Sequence, residues 1–315
     1  MLNVSPNPDA PLTEAVWIDL LEPDDEERKR VEQATKLRLP TKGDLEEIES
    51  SSRVFTEGEV AYLSTPVLMT TDCMKGGVTS IGFVLSPTRL ITLRFARVTA
   101  FDSVVAVPAD APARTARDVF LKLMEAIIEH TADALEHASS ELESISRAAF
   151  HVEGGRRQRK VARASEMLRA ALRKLGRMGD GLSHVRDTLL GLGRIAAFTH
   201  DNAREAQSAA DLARSKAIRG DITSLNDYQA HLSSKVQFLL DATLGFISIE
   251  QNDVVKTLTV VSVVGVPPVL IAGIYGMNFK YMPELGWTFG YPYALALMLV
   301  SALLPLAWFK WRGWL

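Results

Sequence analysis

Two long apolar segments follow each other near the end of the sequence. Residues 257–279 and 285–309 contain no charged side chain. A helix needs about 20 apolar residues to cross the hydrocarbon core of a bilayer, so both segments are long enough. Two buried helices of a soluble domain would not need two such runs in succession. The pattern therefore predicts a transmembrane hairpin, with a first span over 254–277, an outward-facing loop over 278–288 and a second span over 289–309.

The tail after the second span sets the expected orientation. Residues 310–315 carry Lys310 and Arg312 among tryptophans. Basic residues mark the cytoplasmic end of a span, and tryptophan side chains settle at the membrane interface. The start of the chain lacks the basic residues and the apolar core of a secretory signal. We therefore expect both termini in the cytoplasm and two membrane crossings.

The first part of the chain predicts a mixed α/β domain. The stretch AVWIDLLEP is typical of a short strand, and PDDEERKRVEQATKL begins acidic and continues basic, which suits a helix dipole. Two β-rich stretches, residues 53–70 and 78–95, are broken by turn residues and predict a sheet. We expect these elements to belong to a cytoplasmic domain over residues 1–220.

Long helices follow from about Thr115, and neighbouring helices differ in charge. An acidic helix ends at VEGG, residues 152–155, and a basic helix follows, so residues 115–218 predict a helical hairpin. The charges favour a solvated surface with weak ion pairs, and a cation-sensing acidic face is the alternative. The charged positions are Glu125, Glu129, Asp133, Glu136, Glu141 and Glu143 in the first helix and Arg156, Arg157, Arg159, Lys160, Arg163, Arg169, Arg173, Lys174 and Arg177 in the second.

Residues 221–253 predict a stalk helix that continues into the first span. Helical periodicity runs from Ile222 to Gly276 without a break signal, which is 55 residues. At a rise of about 1.5 Å per residue, this helix would be a rod of ~80 Å. So long a helix is not stable alone, and we expect it to pack against copies of itself or against the hairpin.

One face of this long helix carries a stripe of polar and small residues. The positions repeat every three or four residues, as in a helical bundle. Small residues alone would indicate close helix contacts in the membrane, whereas the polar continuation below the membrane favours contact with water and ions. One chain cannot enclose a pore, so several subunits would have to line it. The candidate pore and gate residues are Asp241, Ser248, Asn252, Val255, Leu258, Ser262, Val266 and Val269.

The composition excludes several other functions. The chain of 315 residues has 35 basic and 38 acidic residues, so nucleic acid is not an expected partner. Its single cysteine, Cys73, excludes an internal disulfide and a cysteine-rich zinc site. The six histidines are scattered, and no nucleophile motif or phosphate-binding loop occurs. We therefore expect neither an enzyme nor an organic cofactor.

Between the two spans lies the motif YGMN at residues 275–278, followed by MPEL at 282–285. Together with QFLLDATLGFISIEQN before it and GYP after it, this text resembles the CorA family of magnesium channels. The resemblance implies an α+β (α/β/α) cytoplasmic funnel, a stalk helix and an all-α transmembrane hairpin, assembled as a homopentamer in the bacterial inner membrane. It also implies Mg²⁺ as the transported ion and as a regulatory ion that holds the channel closed.

The same resemblance implies roles for single residues. Gly276, Met277 and Asn278 would form a ring at the outer mouth that recognises a hydrated divalent cation, and apolar rings below it would form the gate. Asp221 and Asp227 at the bottom of the stalk are the candidates for the regulatory metal site.

The residues of the outer mouth suit this ion on chemical grounds. Mg²⁺ loses its water reluctantly and prefers oxygen ligands. The Asn278 amide and the Gly276 carbonyl offer oxygen dipoles to the water shell without a full charge that would trap the ion. Glu284 in the loop either raises the local cation concentration or is a solvated loop carboxylate.

Three functions fit these observations. The leading one is a passive, gated Mg²⁺ influx channel in the lipid bilayer, with Co²⁺ and Ni²⁺ as further substrates. The second is a proton-coupled zinc or nickel transporter of the same superfamily, although that branch departs from the YGMN and MPEL text. The third is a non-conducting membrane scaffold, against which the polar stripe argues. Ion flux into liposomes distinguishes them.

Overall fold

A six-stranded mixed sheet forms the first part of the fold. The computed structural model describes residues 2–5, 11–47, 49, 53–105, 115–150, 157–201, 209–277, 280 and 282–314. The strand order is β1-β2-β6-β5-β4-β3, with β2 and β6 parallel and the other pairs antiparallel. The strands are β1 (Leu2–Ser5), β2 (Trp17–Leu21), β3 (Val54–Glu57), β4 (Val60–Leu68), β5 (Val78–Leu85) and β6 (Leu90–Arg94). The predicted sheet is confirmed, and β1 is an addition to it.

Seven α-helices are described. In α1, the Glu27 amide donates to Asp24 Oδ1 at 2.7 Å, and the Glu27 side chain binds the Asp24 amide in return. This capping box begins α1, the helix that was predicted from the acidic residues of its first turn. Helices α2 and α3 were not predicted, because so short a helix leaves too little periodic pattern. The helices are α1 (Asp25–Thr35), α2 (Lys42–Glu46), α3 (Thr99–Val105), α4 (Ala116–Phe150), α5 (Arg157–Asp201), α6 (Ala209–Tyr275) and α7 (Gly290–Trp311).

The chain divides into two compact units. The first comprises Met1–Glu153 and Arg169–Asp241, and the second comprises Gly154–Leu168 and Ala242–Leu315. The first unit therefore holds the sheet and most of the long helices. The second unit holds both apolar segments that the sequence predicts to cross a membrane.

Both faces of the sheet are covered within the first unit. Side chains alternate along a strand, so Ile18 of β2 faces one side and Trp17 the other. The Ile18 side is buried with Val31 of α1 and Leu45 of α2. The Trp17 side packs on α3 and α4, in a cluster that includes Phe83, Phe101, Phe120, Met124 and Ile127.

A buried ion pair joins the two parallel strands. Arg94 Nη2 donates to Asp19 Oδ2 at 2.7 Å, and the two side chains are only 4% and 2% exposed. The Thr92 hydroxyl donates to Asp19 Oδ1 at 2.7 Å and accepts from Trp17 Nε1 at 3.1 Å. The Arg94 guanidinium also lies 4.7 Å from the ring centroid of Phe101 on α3. The pair therefore links β2, β6 and the helix behind them.

Beyond the sheet, three long helices share an apolar core. Apolar positions recur at helical spacing along each of them. Leu68 and Cys73 of the sheet region also lie in this core, and burial raises the pKa of the Cys73 thiol to about 11. The helical members are Ala134, Leu135, Ala138, Leu142 and Ile145 of α4, Leu175, Met178, Leu182, Val185 and Leu189 of α5, and Leu232, Val236 and Leu239 of α6.

Two glycines allow α5 to approach the sheet closely. A Cβ atom at Gly181 would lie 2.6 Å from the carbonyl oxygen of Cys73, and one at Gly191 would lie 2.9 Å from Thr65 Cβ. Both distances are shorter than van der Waals contact. Only glycine at these two positions therefore allows the backbone of α5 to lie this close to the sheet.

Helix α6 begins at Ala209 rather than at the predicted Ile222. The pattern around Gly220 and Asp221 resembles a helix break, and glycine inside a helix costs about 1 kcal/mol. Tertiary packing offsets that cost, because Ile218 and Ile222 on either side are buried in the sheet cluster. The early start of α6 is thus decided by contacts that local sequence does not contain.

An arginine of α6 neutralises the acidic side of α4. Arg214 donates to Asp118 at 2.7 Å and to both carboxylate oxygens of Glu125 at 2.9 and 2.8 Å. The Glu125 bond raises the pKa of Arg214 above its ordinary value. Between α4 and α5, one ion pair, Lys174 with Glu141, occurs among the described side chains.

The second unit contains two helices that are long and apolar enough to cross a membrane. They are the later part of α6 and all of α7. The most apolar stretch of α6 is 0% buried within the chain, so this part of α6 is not the core helix of a soluble domain. Pro267 and Pro268 lie inside α6 without ending it. The predicted hairpin therefore has two exposed apolar helices, as a bilayer requires.

The close approach at Gly181 predicts a contrast between two glycines of α5. Gly181→Ala should lower the free energy of unfolding by about 1–3 kcal/mol, because the added methyl overpacks the contact with Cys73. Gly179→Ala should raise it by up to about 1 kcal/mol, because alanine favours helix and nothing lies within 4 Å of a Cβ there. Denaturant unfolding of the solubilised protein measures both. Equal effects of the two changes would contradict the close approach.

The buried ion pair predicts a second contrast. Arg94→Leu should cost about 3–5 kcal/mol of stability, because it leaves the Asp19 carboxylate buried without its cation. The control is Arg97→Ala, since the Arg97–Asp102 pair is 75% and 47% exposed and such pairs contribute about 1 kcal/mol or less. The same unfolding measurement applies. A cost for Arg94→Leu no larger than that of the control would count against the role assigned to this pair.

Candidate functional site

The predicted pore residues of the first span form one exposed side of α6. Val255, Leu258, Val266 and Val269 are 60%, 65%, 60% and 72% exposed, and Ser262 between them is exposed as well. Steps of three or four residues keep them on one side of the helix. We call this side, Val255 to Val269, the pore stripe.

The opposite side of the same helix is covered. Val260 is 7% exposed, and Val264 and Ile271 are half-buried. Each of them lies two residues from a member of the pore stripe, which is about 200° around the axis. On α7 the buried side chains are Ala294 and Phe309, at 8% and 3% exposure. The burial of α6 is therefore one-sided in this region, and the pore stripe lies on its open side.

Towards its C-terminal end, the open side of α6 forms a shallow apolar concavity. Nothing lies within 4 Å of a Cβ placed at Gly265 or Gly273, so the chain itself does not fill it. The lining side chains carry no oxygen and cannot bind a cation. Such an apolar surface can narrow a pore and exclude water from it, but it offers no ligand that could select an ion. Its residues are Gly265, Val266, Val269, Leu270, Gly273, Ile274 and Met277.

The inner end of the span is polar. Ser248 and Asn252 are exposed on α6, as predicted for the continuation of the stripe. The apolar segment begins after Lys256, whose ammonium lies 3.4 Å from the Asp253 carboxylate. This pair leaves no net charge where the helix enters its apolar part. Asp241, which lies in the first unit, accepts a hydrogen bond from Gln237 at 3.2 Å.

Helix α6 ends at the first residues of the predicted selectivity motif. The Gly276 amide donates to the Ala272 carbonyl at 2.9 Å, and a Cβ at Gly276 would lie 3.1 Å from that oxygen. Among the described residues, the glycines with positive φ are Gly58 and Gly313. Space, rather than a left-handed backbone, therefore favours glycine at position 276.

The rest of the motif is described only in part. The Met277 amide donates to the Ile274 carbonyl at 3.2 Å, and its side chain is 48% exposed. Asn278, the residue assigned the largest role, lies outside the described residues, as do Phe279 and Tyr281. The role of Asn278 stays a prediction.

A tight turn follows the motif and joins it to α7. Pro283–Gly286 forms one 3₁₀ turn, and the Trp287 amide donates to the Glu284 carbonyl at 3.3 Å. A side chain at Gly290 would clash with that carbonyl oxygen, and the Trp287 ring lies 6.2 Å from the ring of Tyr293. The turn is therefore fixed to α7, with Glu284 half-buried within it. The sequence GYP at residues 290–292 gave no indication of this contact.

The two candidates for a regulatory metal site do not form a site within one chain. Asp221 and Asp227 are both exposed on α6 and lie about 120° apart around the helix axis, since six residues make one and two-thirds turns. Asp221 shares a shallow groove with Glu125 and Glu129 of α4, but Glu125 is already bound to Arg214. In the described part of the chain, no cluster of three metal-binding side chains occurs.

Comparison with known proteins agrees with this geometry. A family model described as CorA-like Mg²⁺ transporter protein matches residues 13–311. The magnesium transport proteins CorA of Escherichia coli and of Salmonella typhimurium are each 36% identical over 307 residues, which cover 97% and 96% of this chain and 93% of each relative.

Solved structures support the same fold. The complete CorA magnesium transporter from Methanocaldococcus jannaschii superimposes with a TM-score of 0.75 at 20% identity, covering 95% of this chain and 91% of that one. The full-length CmaX protein gives a TM-score of 0.65 at 15% identity, with coverage of 96% and 89%. The resemblance drawn from YGMN and MPEL is confirmed: this chain belongs to the CorA-like Mg²⁺ transporter family, whose members are transporters or channels and not enzymes.

Proposed function

We propose that several copies of this chain form a channel for Mg²⁺ influx, lined by the pore stripe of α6. The proposal is supported chiefly by one observation: one side of α6 is partly buried around Val260, and the opposite side stays open from Val255 to Val269. This side continues into Ser248 and Asn252, which are exposed, and their polar side chains favour contact with water rather than lipid. The relatives from Escherichia coli and Salmonella typhimurium are named magnesium transport proteins, which favours this ion.

The number of copies follows from the resemblance, which implies a homopentamer. Five α6 helices around one axis would bury their open sides against one another and against a water-filled passage. In this arrangement residues 1–220 form the cytoplasmic domain, 221–253 the stalk and 254–277 the pore-lining span. The loop 278–288 faces outward, the second span 289–309 stays peripheral, and the tail 310–315 returns to the cytoplasm of a bacterial inner membrane.

Selection would take place at the outer mouth. Gly276 carbonyls and Asn278 amides from each copy present neutral oxygen dipoles to the water shell of the ion. Neutral dipoles suit a channel, because binding has to be strong enough for entry and weak enough for release. Co²⁺ and Ni²⁺ have the same charge and a water shell of the same kind, so we expect them as further substrates. Glu284 of each copy adds negative potential close to this mouth.

The gate would lie below the mouth, in the apolar part of the stripe. Rings of valine and leucine side chains exclude water from a narrow passage and stop ions without a moving plug. Ser262 is the polar exception among them. Regulation by intracellular Mg²⁺ at Asp221 or Asp227 would need carboxylates of a neighbouring copy, because the described part of one chain brings no three metal-binding side chains together.

The apolar gate predicts a leak when one ring is made polar. Leu258→Asn should raise resting Mg²⁺ uptake several-fold, because the amide keeps water in the constriction. Val261→Asn is the matched control: Val261 is 64% exposed against 65% for Leu258, but it precedes Ser262 by one residue and points about 100° away from it. Uptake into proteoliposomes measures both. Normal resting uptake by an assembled Leu258→Asn protein would place the gate elsewhere.

The selectivity ring predicts a complete loss of transport at Asn278. Asn278→Ala should reduce Mg²⁺ uptake to the level of protein-free vesicles while size-exclusion chromatography shows unchanged assembly. Asn278→Asp should keep binding but slow release, because a ring of carboxylates holds a dication more tightly. Thr288→Ala, in the same outer loop, is the control and should transport normally. An assembled Asn278→Ala channel with normal uptake would remove this motif from the mechanism.

A further inference from the structure

The chain after the second span folds into a defined helix cap. The Gly313 amide donates to the Lys310 carbonyl at 3.2 Å, and the Trp314 amide donates to the Phe309 carbonyl at 3.0 Å. Gly313 has a φ of 73°. These two bonds around a left-handed glycine are the Schellman motif, which ends a helix by satisfying its last carbonyls. We call residues Trp308–Trp314 the C-terminal cap.

An aromatic cluster holds the C-terminal cap together. The ring centroids of Phe309 and Trp314 are 5.4 Å apart and stacked, and those of Trp308 and Phe309 are 5.1 Å apart at a steep angle. Phe309 is only 3% exposed, whereas Trp308, Trp311 and Trp314 are 45%, 84% and 41% exposed. The cap therefore has a buried apolar base and an amphipathic outer surface of indole rings.

Two cations lie at this cluster, and neither has a carboxylate partner among the residues that the structure describes. The Arg312 guanidinium lies 5.1 Å from the ring centroid of Trp308. In the described part of the chain, no carboxylate lies within 4 Å of the charged group of Lys310 or Arg312. The sequence from Leu285 to its last residue holds no acidic side chain at all. The cap is thus a local excess of positive charge.

The Arg312 side chain has no hydrogen-bond or carboxylate partner among the described residues, so its N–H donors are available. A guanidinium over an aromatic face uses its flat side, and its N–H groups lie in the plane and point outward. Planar donors of this kind match a phosphate with two parallel hydrogen bonds. Lys310, two residues earlier, supplies a second positive charge to the same end of the helix.

The position of the cap in the chain decides which phosphate it would meet. It ends α7, a helix of 22 residues that is long and apolar enough to cross a membrane. Indole rings favour the depth of lipid headgroups, and juxtamembrane basic residues are attracted to anionic lipids. A soluble anion would gain nothing from the apolar base and the exposed Trp311.

We propose that the C-terminal cap is a binding site for the headgroup phosphate of an anionic phospholipid, which Arg312 and Lys310 bind while the indole rings lie along the upper acyl chains. The site is built by the backbone of the cap, since the Schellman motif fixes Arg312 over Trp308. It is independent of ion conduction and needs no assumption about the pore.

The test measures lipid preference by quenching of tryptophan fluorescence. The full-length protein with Trp287→Phe has three of its four remaining tryptophans in the cap. It is reconstituted in phosphatidylcholine vesicles that contain a fixed fraction of brominated phosphatidylglycerol or of brominated phosphatidylcholine. We expect stronger quenching by the anionic lipid, with a preference on the order of fivefold for each cation, and a decline of this preference at high salt.

Three variants separate a built site from general charge attraction. Lys310→Gln with Arg312→Gln should abolish the preference, whereas Lys280→Gln, which removes a cation from the outer loop, should keep it. Gly313→Ala keeps both charges but strains the cap at positive φ, so it should also lose most of the preference. Equal quenching by the two lipids in the parent protein overturns the proposal, and so does a full preference in Gly313→Ala.

A soluble competitor separates the lipid from a free phosphate. Glycerol phosphate carries the same headgroup chemistry without acyl chains, and we expect it to leave the quenching by brominated phosphatidylglycerol unchanged. If it displaces the brominated lipid at concentrations comparable to those of the lipid, the site binds a soluble anion, and the assignment to a phospholipid is wrong.

Discussion

The hydrocarbon of a bilayer offers no partner to a backbone amide or carbonyl, and the second unit is shaped by this constraint. The first apolar segment is helical up to Tyr275 and the second from Gly290 onward, so most of their backbone bonds close within one helix. Pro267 and Pro268 are the exception, because proline has no N–H to donate. The carbonyls of Val263 and Val264, one turn earlier, lose their usual partners. Neighbouring helices, hydroxyl side chains, ordered water or a local change of helix geometry can satisfy such carbonyls in a membrane.

The same helix also has to satisfy the packing of a water-soluble core. Over Ala209–Asp241, α6 buries Ile218, Ile222 and Leu232 among the elements of the first unit, and Arg214 holds it to two carboxylates of α4. Beyond residue 241 most of its large apolar side chains are exposed instead, among them Leu244, Ile249 and Val254. One helix therefore changes from buried packing to membrane exposure without interruption. The sequence shows this change: the first part of α6 alternates apolar and polar residues at helical spacing, and its last part is apolar on all sides.

The features that the sequence predicted are those set by local pattern. The two spans were predicted from the length of the segments without charged residues, and the pore stripe from residues spaced three or four apart. The outer motif was predicted from a short sequence that resembles one in a known family. The missed features depend on distance along the chain. Arg214 meets partners 96 and 89 residues away, and the start of α6 depends on those contacts. That the side of α6 around Val260 is buried could not be read from the sequence of this helix, since its valines occur on every side.

The glycines of α5 also have a mechanical meaning. A shift of α5 by one residue along its axis would replace Gly181 by Asp180 or Leu182, and Gly191 by a leucine on either side. No such side chain fits against the backbone at Cys73 or against Thr65. The helix can neither slide nor turn on the sheet in small steps. A displacement of α5 along its axis would therefore move β4 and the loop that follows it together with the helix.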